Sequence, residues 1–118
     1  MAELLRFVDL WGREIVLHDD NWEDHILVDH SIMDGYEAYI EDVLTHPDLV
    51  TRDADNANGV NYYRANALPP PDDQQYLKVC VRFRPGTERG KQVGIIVTTY
   101  PTVGVKRSEK ITWSRRIS

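Results

Sequence analysis

Residues 77–84 alternate without a break. Leu77, Val79, Val81 and Phe83 fall on one side of an extended chain, and Lys78, Cys80, Arg82 and Arg84 fall on the other. Successive strand side chains point to opposite faces, so this segment offers one face to a core and the other to water or a ligand. Such a strand needs paired neighbours and an apolar layer over its core side. The rest of the sequence supplies strand signals. Val93–Tyr100 is rich in β-branched residues and ends at Pro101, and segments 49–52 and 60–65 flank a loop whose Asn58-Gly59 pair favours a tight hairpin turn. Leu5 and Phe7, then Ile15 and Leu17 beyond Trp11-Gly12, read as an opening hairpin, and 105–113 reads as a last edge strand. Pro85-Gly86 and Gly90 mark turns between the two strongest strands.

Two helices interrupt this pattern. Asp19, Asp20 and Asn21 can cap a helix starting near Trp22, on which Trp22, His25, Ile26 and Asp29 share a face. His30 lies about 140° further round at ~100° per residue. A second helix is predicted from about Gly35 to Thr45, with Tyr36, Tyr39, Ile40, Val43 and Leu44 as its apolar stripe, and Pro47 ends it. Residues 66–75, with Pro69-Pro70-Pro71, lack periodicity and form an exposed loop. The expected architecture is α+β. An N-terminal hairpin and two helices pack on an antiparallel sheet of about four to five strands, in one domain over 1–118.

Composition narrows the function classes. The chain is 42% hydrophobic and 28% charged, an ordinary globular balance, and its one cysteine, Cys80, cannot form an internal bridge. No signal-peptide or membrane-spanning apolar run is visible, so a cytoplasmic protein with no membrane partner is expected. No His-Glu-x-x-His, phosphate-loop or Gly-x-Ser-x-Gly motif occurs, and the 53–59 loop fails as a calcium site because Arg64 stands where a bidentate glutamate is needed. Neither a metal nor another cofactor is expected. The net charge of -5 conceals an asymmetry: residues 1–75 hold 17 acidic and 4 basic side chains, and residues 76–118 hold 2 and 10. A basic late half suggests a phosphate-bearing partner, and the polar face of strand 77–84 would present Lys78, Arg82 and Arg84 to it.

Several segments, taken in order, resemble one known group. They are Phe7-Val8-Asp9 with Gly12-Arg13-Glu14, Trp22-x-x-His25-Ile26 with His30, Pro47-Asp48, Tyr62-Tyr63-Arg64, Leu77-Lys78-Val79-x-Val81, and Thr98-x-Tyr100-Pro101-Thr102. From about residue 7 to Trp113 this looks like the phage- and mobile-element-associated nuclease-like domains of the barnase, EndoU, colicin and RelE superfamily. The resemblance implies a metal-independent ribonuclease, a toxin or phage-related effector, with RNA as substrate and an immunity or antitoxin protein as a second partner. The sequence departs from the group at His30, followed here by Ser31-Ile32 where the family has Pro-Glu.

Metal-free RNA cleavage needs a base for the 2'-hydroxyl, cations for the phosphate and an acid for the leaving oxygen. His25 matches the family's helix histidine; the competing reading packs it beside Trp22. Arg64 is the candidate phosphate clamp, against a plain solvent-facing role, and Thr98 and Tyr100, two apart on one strand face, are candidate phosphate and proton-transfer groups. Lys78, Arg82, Arg84, Lys106 and His30 are expected to bind substrate, with Arg107 adding phosphate attraction; Tyr62 is a candidate to stack on a base, set against core or cross-strand packing, and for Lys106 and Arg107 the competing reading is a charged edge strand that resists aggregation. His18 and His46 sit at element ends as solvated or capping residues. Cys80 is read as a small strand residue. The rival from another class is a catalytically inactive relative that binds RNA or protein. Oligomeric state is left open.

Overall fold

A computed structural model describes residues 2–84 and 92–115. The turns expected at Pro85-Gly86 and Gly90 lie outside these residues. The strands are β1 (Glu3–Val8), β2 (Glu14–His18), β3 (Leu49–Arg52), β4 (Gly59–Ala65), β5 (Tyr76–Arg84), β6 (Val93–Thr102) and β7 (Lys110–Ser114). All seven form one sheet in the order β1-β2-β6-β5-β4-β3-β7. Every neighbouring pair is antiparallel except β2 with β6, which run parallel.

This corrects the expected two helices on an antiparallel sheet of four to five strands. The opening hairpin is part of the main sheet, because Glu14–Val16 pairs with Val93–Ile95. The last strand extends the opposite edge by pairing with β3. Alternation within a segment identifies a strand but does not reveal its partner, and these two long-range pairings convert the expected arrangement into a seven-stranded mixed sheet.

Among the described residues, helical structure is confined to two short stretches and two single turns. The first helix, α1, runs Asp19–Asn21, widens into a π turn over Trp22–Ile26 and closes at Leu27–Asp29. In the wide turn the Leu27 amide donates to the Trp22 carbonyl, five residues back. The extra residue rotates the face: Trp22 and Ile26 are buried while His25 is exposed, so His25 does not share the core stripe expected of it. The second helix, α2, covers only Tyr39–Thr45 and not Gly35–Thr45, since Gly35 adopts φ +83° and Ser31–Met33 forms a separate 3-10 turn. None of the described helices is long and apolar enough to cross a membrane.

The core lies on the face of β5 that carries Leu77, Val79, Val81 and Phe83, against Ile40, Val43 and Leu44 of α2 and Trp22 and Ile26 of α1. At the parallel junction Gly94 leaves no room for a side chain. A Cβ there would stand 2.7 Å from Val81 Cγ1 and 2.9 Å from Phe83 Cε1. Gly94→Ala is expected to destabilise the fold by about 1–3 kcal/mol through overpacking, read as a lower urea midpoint with an unchanged m value.

Candidate functional site

The other face of the sheet carries Lys78, Cys80 and Arg82 of β5 beside Tyr63, Asn61 and Gly59 of β4 and Tyr100 and Thr98 of β6. Opposite Cys80 and Val81 the register slips. Thr98 pairs with Cys80 and Ile96 with Val81, so Val97 is an extra residue that bulges from β6. Asn21, expected to cap α1, instead donates through Nδ2 to the carbonyls of Ile96 (2.7 Å) and Val97 (3.1 Å). The first turn of α1 is thereby fixed against the bulge. Val97, 38% exposed, forms a low ridge between two clefts.

The first cleft, about 240 Å3, gathers Thr98, Tyr100, Lys78, Arg82 and Lys106, five of the sequence-predicted residues, with Asp53 and Asp55 also on its lining. Its floor is a buried ion pair: Lys78 Nζ and Glu109 Oε2 are 2.7 Å apart, with both side chains 4% exposed. Glu109 arrives from the 103–109 connection between β6 and β7. Its Oε1 also accepts bonds from Tyr63 Oη (2.6 Å), Asn61 Nδ2 (3.1 Å) and Thr51 Oγ1. Burial is the largest single influence on each group and works against both charges, but the direct bond and the surrounding hydrogen bonds and charges together outweigh it. The Glu109 carboxyl is held below its ordinary pKa and the Lys78 ammonium above its own, with Tyr63 assisting each. Lys78 is therefore a structural cation rather than an open phosphate ligand. Burial pushes the neighbouring Cys80 thiol up to about 11, which keeps it protonated and unreactive at neutral pH. His30 reaches this cleft indirectly, stacking on Tyr100 with ring centroids 4.5 Å apart.

The second cleft, about 290 Å3, is lined by His18, Asp20, Asn21, His25 and Arg84 with Ile95, Ile96 and Val97. It brings two imidazoles and a guanidinium together. His18 ends β2 and His25 follows seven residues later on α1, so the strand-to-helix junction carries both to the same opening. No helical spacing joins them, because His18 belongs to the strand and the π turn shifts the face of α1.

Two expected site residues lie elsewhere. Arg64 shares the helix-side face with Leu77's partner position, where its Nε meets Asp42 Oδ2 at 2.9 Å and its Nη1 donates to the His46 carbonyl at the end of α2. It clasps a helix end, a site where cations are favoured. Tyr62 is fully buried and cannot stack on a base; its hydroxyl donates to Asp9 Oδ2 at 2.7 Å and accepts from Arg13 at 3.1 Å. Thus His25 does not converge with Arg64, Thr98 and Tyr100. It joins His18 and Arg84, and Thr98 and Tyr100 lie across the Val97 ridge. Among the described residues no cluster of three or more histidine, cysteine or acidic side chains is arranged to hold a metal ion.

No protein-family model matches the chain, and comparisons with curated proteins and with solved structures find no match.

Proposed function

We propose that this protein binds RNA along the polar face of its sheet and cleaves the phosphodiester in the His18–His25–Arg84 cleft without a metal. The observation that carries this reading is that two histidines and an arginine line one opening. These groups can supply the base, acid and anion-stabilising donor that the reaction requires. One neutral imidazole takes the 2'-hydroxyl proton, and the resulting oxygen attacks phosphorus. The bond to the 5'-oxygen breaks, and that oxygen takes a proton from the other histidine as imidazolium. The products are a 2',3'-cyclic phosphate and a free 5'-hydroxyl. Arg84 faces the non-bridging oxygens, and Tyr100, Thr98 and Arg82 beyond the ridge hold the neighbouring nucleotide.

A second reading, an RNA-binding module that does not cut, is favoured by the diversion of Arg64 to α2 and of Lys78 to Glu109. Incubation with single-stranded RNA in chelator separates the two. Cyclic-phosphate ends that disappear in the His18→Ala and His25→Ala variants support cleavage. Salt-dependent binding with intact RNA supports the module, and the absence of both cleavage and binding overturns both readings.

Arg64→Ala is expected to leave RNA cleavage unchanged and to cost no more than about 1 kcal/mol of stability, since its ion pair with Asp42 is partly solvated. A cleavage assay and a thermal melt of the same sample check both halves.

A further inference from the structure

A third cleft, about 480 Å3, lies apart from both histidines, where the tip of the β1–β2 hairpin meets β3 and β7. This volume is within the ~300–1,000 Å3 typical of ligand-binding clefts. Two of the chain's three tryptophans stand here. Trp11 is 49% exposed, and its ring meets that of Trp113 edge to face, with centroids 6.1 Å apart. Val50 and Val60 also line it. The guanidinium of Arg13 lies 4.1 Å from the Phe83 ring centroid and 5.0 Å from that of Trp11, and its Nε is held by Asp9. Arg52, exposed, carries a further positive charge at the cleft.

The polar chemistry of this cleft is one-sided. Indole and guanidinium groups donate hydrogen bonds and accept none. The two lining threonines have already given their protons, Thr51 to Glu109 and Thr112 to the Val50 carbonyl, and Thr51 Oγ1 also accepts from Asn61, so the charge left to an occupant is the positive charge of Arg52. No acidic residue is present in the described lining. An occupant must therefore bring acceptors or negative charge together with an apolar body. A nucleic-acid backbone calls for cations repeated along a track, whereas one apolar notch flanked by arginine is a point anchor. Tryptophan and arginine are also the side chains most enriched where protein interfaces concentrate their binding energy.

We propose that this cleft docks an acidic peptide segment of a partner protein, with an aromatic or proline side chain against Trp11 and Trp113 and a carboxylate on Arg52. The assignment is independent of RNA cleavage, because neither His18 nor His25 lines this cleft.

Selection of a displayed library of random 12-residue peptides on the intact protein tests it. The expected result is enrichment of sequences combining aspartate or glutamate with an aromatic residue or proline. A selected peptide should change tryptophan fluorescence, with buried Trp22 as a constant background. Trp11→Ala should weaken that peptide about tenfold, as for an interface anchor. Arg52→Glu alters an exposed side chain, so the fold is retained even where Trp11→Ala disturbs the hairpin, and it should shift selection from acidic to basic peptides. The proposal is overturned by selection without acidic enrichment, or by enrichment indifferent to Arg52→Glu. A 12-residue oligouridylate that displaces the peptide and loses binding in both variants would also overturn it, assigning the cleft to nucleic acid.

Discussion

Glu109→Ala is expected to cost about 3–5 kcal/mol of folding stability, the range for removing one partner of a buried ion pair. The loss is large because the Lys78 ammonium would remain buried while Tyr63, Asn61 and Thr51 lost their shared acceptor. Urea denaturation of the variant measures it. The double variant Lys78→Met/Glu109→Leu removes both charges and should recover most of the loss. A single variant as stable as the wild type would show that the pair is not buried in solution. The pH dependence has a defined sign. The Glu109 carboxyl is held below its ordinary value, so its contribution is complete above the unfolded carboxylate pKa of about 4.3 and fades as pH falls through the folded value. Lys78 is held above its ordinary value, so its contribution is complete below about 10.4 and fades as pH rises through the folded value. The stability gap between wild type and Glu109→Gln should therefore be widest across the neutral range and shrink towards acid.

His18→Ala and His25→Ala are each expected to lower RNA cleavage by about 10²–10⁴-fold, the usual contribution of a positioned acid or base. Arg84→Ala should cost about 10²–10³-fold, as for loss of one donor to a developing oxyanion. The combined histidine variant should fall well short of the product of the single losses, since the two groups act as a unit. His18→Ala is the sharpest variant. If it cleaves at the wild-type rate while His25→Ala does not, the two-histidine mechanism fails and a different acid must serve.

Much of the strand inventory was legible because alternation is local. Leu77 to Phe83 and Val93 to Tyr100 lie within the strands expected of them, and β3 and β4 pair as the expected hairpin, although Gly59 opens β4 instead of completing a tight turn with Asn58. Pairing was not legible, since nothing local in Glu14–Val16 announces a parallel partner almost eighty residues later. The helices were overdrawn for a related reason: the π turn and the Gly35 conformation break a 3.6-residue pattern that the apolar residues alone would continue. In the candidate site, Thr98, Tyr100 and Arg82 share the cleft that their strand faces suggested, and Lys106 joins them from the 103–109 connection, since the last strand begins only at Lys110 and not at residue 105. Arg64 misled because an alternating strand states which residues share a face but not which face is solvated, whereas Tyr62 took the core packing that was weighed against base stacking. His18 was passed over as an element end, although the chain reversal at that end is what brings it to His25.

The buried carboxylate also sets an order in time. Glu109 is thirty-one residues beyond Lys78 and meets it only when the 103–109 connection folds back across the sheet. Until then the ammonium, Tyr63, Asn61 and Thr51 keep their hydrogen bonds with water. The apolar side of β5 can collapse on α2 while the polar side stays wet. The 103–109 crossing and β7 then dry the cleft floor and cover the outer edge of β3 as a late event. A chain in which that crossing has yet to dock would hold a charged, hydrated sheet face beside an open strand edge, a state prone to pair with other chains.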